Sequence, residues 1–201
     1  MNLHHRIAFL IPKEDTFPTD SPEAMDKFHE HWNNAHGEYV MPVTDVVGYV
    51  QNRPVDNQWH WDQFHGIAEL FFASPEGEEA AWAHEAWREK LAPDEEYMFD
   101  VENGFSAIVD NVEELRAGDV TRTRVLSLGG SVENLPVYPR IGATHRITLS
   151  DTVPVEGGSN ELISVFTRGR DEAEKVAGVL GGRTVIVDTI QMIRPEGWPN
   201  V

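Results

Sequence analysis

Two Ser-Pro-Glu tripeptides, at residues 21–23 and 74–76, set the plan of the first half of this chain. Each reads as a helix start. The Ser hydroxyl caps the first turn, Pro fits where no amide hydrogen is needed, and Glu sits near the positive end of the helix dipole. Around them lie runs with strand character. Ile7 to Ile11 is apolar at every position, Val46 to Asn52 carries Tyr49 and Gln51 on one face, and Phe64 to Phe72 has few polar positions. Gly104 to Val109 reads as a closing strand. Strand, helix, strand, strand, helix, strand is the ferredoxin-like plan.

The first helix is predicted to run to about Ala35. Phe28, Trp32 and Ala35 fall at i, i+4 and i+7 as one apolar stripe, flanked by His29 and His36. Gly37 is predicted to end it, since Gly favours the left-handed C-terminal position. The second helix places Ala80, Ala83, Trp87 and Leu91 on one face. In the second half, strands are predicted at Val125–Leu128, His145–Leu149, Glu161–Thr167 and Thr184–Ile193. A helix spans Asp171–Leu180 and stops at Gly181-Gly182. Residues 129 to 143 carry Gly and Pro without a helical period. This is the first half's order without its first helix. The expected fold class is therefore α+β: tandem ferredoxin-like repeats, 1–112 and 113–201, forming an intrachain, pseudo-dimeric α+β barrel. Apolar residues on both faces of 7–11 and 66–72 call for a cover, as two sheets packed over a cavity would provide.

Asp and Glu total 34 against 16 Lys and Arg, a net charge of −18. Residues 1 to 112 hold 22 acids and 6 bases, so the excess is concentrated there. Such acidity argues against nucleic acid and against an anionic membrane surface as partners. With no cysteine, disulfides and zinc-thiolate sites are excluded, which fits a reducing cytoplasm. The N-terminal apolar run is too short for a secretory signal, and no stretch approaches the roughly 20 apolar residues of a membrane-spanning helix.

The segments KFHEHWNNAHGEYV, VVGYVQNRPV and FHGIAELFFASPEGEEAAW together resemble the EthD-like family of the dimeric α+β barrel superfamily. The likeness rests on Trp32 with His36, on Tyr49, Gln51 and Asn52, and on Gly66, Ala68, Glu69, Leu70 and Phe72, and it covers about residues 5–110. The chain departs from the pattern at His31, where an aromatic residue is common, at Gly37, and in the Trp-rich insertion at 54–63. The resemblance implies a cofactor-free site inside the sheet cavity. Related barrels include decarboxylases and cyclases of aromatic polyketides, muconolactone-type isomerases and quinone-forming monooxygenases, and some bind haem, so the fold alone does not decide the reaction.

His36 is the first candidate acid/base, because an imidazole exchanges protons near neutral pH; its structural alternative is a histidine stabilised at a helix end. Tyr49 is a candidate donor to a developing oxyanion, or else a core aromatic. Glu69 is costly in an apolar strand unless it is paired, with Arg6 or Arg53 for example, or lines a cavity. His65 shares its strand face about 13 Å away. Trp32, Trp59 and Trp61 read as aromatic wall, Gln51 and Asn52 as polar contacts, and Asp188 as an acid in the second half's apolar strand. No HExxH, nucleotide fingerprint or Gly-x-Ser-x-Gly elbow occurs, so no metal and no cofactor are expected. The expected activity is a cofactor-independent lyase or isomerase acting on a small apolar cyclic or aromatic metabolite. A cofactor-free or haem-dependent monooxygenase and a non-catalytic small-molecule binder are the alternatives. A homodimer of the whole chain stays open.

Overall fold

The computed structural model describes residues 3–55, 61, 63–133, 135 and 141–193. The fold is mixed α+β, and its eight antiparallel strands form a closed barrel in the order β1-β3-β2-β8-β5-β7-β6-β4. The chain divides into two compact units. One comprises the chain up to Gln51, Phe64–Ser106 and the segment beginning at Gln191; the other is mainly Ala107–Ile190, together with Asn52.

In the first unit, β1 (His4–Leu10) pairs with β3 (Gly66–Phe72), His4 opposite Phe72 and Leu10 opposite Gly66. β2 (Val46–Pro54) follows β3 in the sheet order. Strand alternation puts Ala8, Leu10, Ala68, Leu70 and Tyr49 with the helices in one core, where Phe28, Trp32, Trp87, Leu91 and Met98 are also packed. Both predicted helix starts are real. Ser21 Oγ accepts from Ala24 N and Ser74 Oγ from Gly77 N, each at 3.2 Å.

Neither helix keeps the predicted register. α1 (Pro22–His31) passes through a π-helical turn, Trp32–His36, into α2 (Gly37–Val40). A π-turn accommodates one extra residue. Phe28, Trp32, His36 and Val40, spaced by four, are all buried, while Ala35 is only partly buried. Gly37 does not stop the helix: its φ and ψ are −57° and −41°. Packing of Val40, 1% exposed, outweighs the roughly 1 kcal/mol helix penalty of Gly. The second helix breaks at His84, which is extended at φ −63° and ψ 139°. α3 (Pro75–Ala83) therefore buries Ala81 and leaves Ala80 and Ala83 exposed. The chain then resumes as a second π-helical segment, Trp87–Leu91, and α4 (Ala92–Met98).

The second unit holds most of β4 (Phe105–Arg116), with β5 (Thr123–Leu128), β6 (Ile141–Leu149), β7 (Glu161–Thr167) and most of β8 (Arg183–Ile193). β5 lies between β7 and β8, and β6 between β7 and β4. α5 (Arg170–Leu180) buries Ala173, Val176 and Leu180 and ends at Gly181 and Gly182, both near φ +65°. That left-handed pair is the helix stop expected there. Among the described residues, no helix precedes β6 in this unit.

Candidate active site

A cavity of about 490 Å³ lies within the first unit, on the face of the sheet that carries the helices. Ala8, Leu10, Ala68 and Leu70 form its sheet wall, and Trp87, Leu91 and Phe99 oppose them. A cavity between two sheets was the expectation; this one lies between sheet and helices, because small side chains on β1 and β3 leave room beneath the aromatic layer.

His36, Tyr49 and Trp32 all line it. The π-turn turns His36 inward, and its side chain is almost wholly buried. Its Nδ1 lies 2.8 Å from Asp94 Oδ2, while the other oxygen, Oδ1, lies 2.7 Å from His31 Nε2. Burial alone would raise the Asp94 carboxyl. The hydrogen bonds to His36 and His31, and their charges, outweigh it and hold the group below the ordinary carboxylate range. Asp94 is thus an ionised acceptor. When His36 carries a single ring proton, Asp94 fixes it on Nδ1 and leaves Nε2 with its lone pair.

Tyr49 sits 6.5 Å from His36 between ring centroids. Its hydroxyl accepts from Trp32 Nε1 at 2.9 Å and from Gln51 Nε2 at 3.2 Å. Gln51 Nε2 also reaches the Trp32 carbonyl oxygen at 2.7 Å. With both lone pairs engaged, the phenol can only donate. Burial pushes its ionisation far upward; the Gln51 and Trp32 hydrogen bonds oppose this, and the charges of Glu95 and Asp94 add to it. The group is a permanent O–H donor rather than a base. Glu95, from α4, lines the same cavity.

The remaining expected residues fall elsewhere. Glu69 is on the opposite face of β3 from Ala68 and Leu70. Its Oε2 lies 3.3 Å from His5 Nε2. Arg6 pairs instead with Glu78, which also holds His4 at 2.7 Å. His65 precedes β3 with the parity of Glu69, is half-buried, and burial lowers its affinity for a proton, with the charge of Glu14 opposing. Asn52 is buried in the second unit, where its Oδ1 accepts from Arg124 Nη1 at 3.2 Å and Thr189 Oγ1 at 2.9 Å. Trp61 is fully buried and is not part of this cavity's wall. Asp188, also in the second unit, is at the surface with Arg122, 3.3 Å away. Trp59 lies outside the described residues.

Sequence reasoning missed Asp94 and Glu95, which look like part of an exposed acidic run. The available signal was the spacing of four from Trp87 to Leu91 to Glu95. Among the described residues, no cluster of three or more His, Asp or Glu is arranged to hold a metal ion. No helix there is long and apolar enough to cross a membrane.

The EthD domain model matches residues 21–102. No curated protein matches the sequence. Solved structures with a similar chain course include an anthrone oxidase-like protein (12% identity, TM-score 0.49, covering 98% of each chain). A candidate monooxygenase from Lactobacillus acidophilus NCFM shows 8% identity and a TM-score of 0.44, over 96% of this chain and 95% of that one. A mutant chlorite dismutase from Candidatus Nitrospira defluvii shows 7% identity and 0.47, over 94% and 91%. Residues 21–102, over which the EthD domain model matches, supply the His36–Asp94 pair and the helix wall of the cavity.

Proposed function

We propose that this chain is a cofactor-independent lyase or isomerase that moves protons on a small, mostly apolar, cyclic or aromatic molecule. The observation that carries the reading is the pairing of one fixed acceptor with one fixed donor on the same cavity wall. Asp94 holds His36 so that Nε2 accepts a proton, and Trp32 with Gln51 holds Tyr49 so that its hydroxyl gives a hydrogen bond. His36 Nε2 removes a proton from carbon next to a carbonyl. Tyr49 O–H stabilises the oxygen on which the charge develops. Asp94, rather than Glu69 or His65, takes the orienting role. Apolar side chains exclude water and strengthen both interactions. The absence of cysteine is compatible with work in a reducing cytoplasm.

The test is deuterium uptake by cyclohex-3-en-1-one in heavy water, followed by NMR. Wild type should accelerate exchange of the protons next to the carbonyl. His36→Ala should lower that rate by about 10²- to 10⁴-fold, the range of a general base, while binding of 1-naphthol, read by its fluorescence, stays unchanged. Equal exchange by wild type and a folded His36→Ala variant would refute the assignment.

A further inference from the structure

We propose that Glu95 is a second proton-transfer group on the wall of the His36 cavity, making the site an isomerase of small unsaturated cyclic ketones that moves a proton between two carbons. This rests on the reading of His36 and Tyr49 given above and narrows it from lyase or isomerase to isomerase.

The placement follows from the helix. Trp87, Leu91 and Glu95 are spaced by four across the π-helical segment and α4, and all three line the cavity. The winding that buries Trp87 and Leu91 carries Glu95 to the same side. Its neighbour Asp94 is turned to His31 and His36. Among the described residues, no group hydrogen-bonds the Glu95 carboxyl. Burial raises its pKa to about 7, and the charge of Asp94 adds to the rise. The other ionisable groups on this wall are His36, Tyr49, Arg6 and Asp100. His36 is tied to Asp94, Tyr49 stays protonated, and Arg6 is tied to Glu78 and to Ser106 Oγ at 3.1 Å. Glu95 therefore lines this cavity as a carboxylic acid that still carries a proton to give near neutral pH.

The steps balance without an added reactant. His36 Nε2 takes the proton from the carbon between the carbonyl and the double bond. The C–H electrons enter the π system as a dienolate, whose oxygen Tyr49 O–H holds. Glu95 gives its proton to the far carbon of the former double bond, and the new double bond lies in conjugation with the carbonyl. The enzyme is left with an imidazolium and a carboxylate, and a proton passes from the first to the second through solvent.

Cyclohex-3-en-1-one in heavy water reads the two half-steps separately. Uptake next to the carbonyl reports His36, and uptake at the distal carbon, with rising ultraviolet absorbance of the conjugated product, reports Glu95. Glu95→Gln keeps the shape of the side chain and should lower distal delivery by about 10²-fold or more, a much larger loss than in exchange next to the carbonyl. Glu95→Asp should recover part of the loss. In wild type, distal delivery should fall as pH rises through about 7; in Glu95→Gln that dependence should vanish. Isomerisation by Glu95→Gln at the wild-type rate overturns the proposal. So does an equal loss of both half-steps, which marks a structural role. Wild type that exchanges the near protons without distal delivery overturns this proposal alone. Wild type that does neither overturns the His36 assignment as well.

Discussion

Replacing Gly66 by Ala tests the packing that fixes the donor side of the site. An added Cβ would stand 2.7 Å from Trp32 Cζ3 and 3.0 Å from Cη2. The indole has no easy retreat: it is fully buried, its Nε1 is bonded to Tyr49 at 2.9 Å, and it packs against Phe28 and His29. Overpacking of this kind costs about 1–3 kcal/mol, and the lost flexibility of the unfolded chain returns about 0.4–1 kcal/mol. Net destabilisation of about 1–2 kcal/mol is expected, read as a lower urea midpoint at unchanged slope. Trp32→Phe removes the ring atoms that clash, so Gly66→Ala should cost little in that background, a coupling of about 0.5–3 kcal/mol. Gly37→Ala supplies the opposite sign. There the new Cβ meets Met192 Cε at 2.5 Å, the free end of a flexible side chain, and the backbone is already helical. A gain of about 0.4–1 kcal/mol is expected. Gly66→Ala as stable as wild type, or equally costly in both backgrounds, would refute a rigid Trp32–Tyr49 anchor.

Other substitutions probe the remaining parts. Trp32→Ala should cost about 3–5 kcal/mol by calorimetry or urea titration, from the cavity it leaves in a fully buried position. Tyr49→Phe leaves Trp32 Nε1 without its acceptor; it should cost about 1–3 kcal/mol and slow carbon-proton exchange by about 10²- to 10³-fold. The carboxyl of Asp94 is lowered in the fold, so its stabilising contribution is present above the ordinary value near 4 and disappears as pH falls through the lower folded value. Asp94→Asn should therefore show a shallower loss of stability in acid. Glu95 has the opposite sign. Its raised value means stability present below about 4.3 that is lost as pH rises to about 7. Urea midpoints of Glu95→Gln should be flatter than wild type across that window and higher at pH 8.

The order of elements was legible because it rests on local chemistry. Ser-Pro-Glu starts, the Gly181-Gly182 stop and β-branched runs each act within a few residues. The meeting of Trp32, His36, Tyr49 and Gln51 was legible too, since a helix end and the next strand are close in sequence. What the sequence hid was winding and register. A π-turn has no residue signature of its own, so Ala35 was read inward where His36 belongs. The break at His84 likewise exchanged Ala83 and Ala80 for Ala81. Asp94 and Glu95 were hidden because an acidic helix reads as solvated until its neighbours are known. Glu69 showed the cost of a carboxylate in an apolar strand, but its partner His5 is set by the pairing of β1 with β3, which composition does not reveal.

The most direct test of a proton-transfer site at His36 and Tyr49 is a crystal structure with 1-naphthol, whose ionisable hydroxyl imitates an enol. Its oxygen should lie about 2.7–3.0 Å from Tyr49 Oη, the normal reach of an O–H donor, with the adjacent ring carbon facing His36 Nε2 and His36 Nδ1 still on Asp94. Naphthol bound outside this cavity, or inside it with its oxygen turned away from Tyr49 and His36 released from Asp94, would contradict the mechanism.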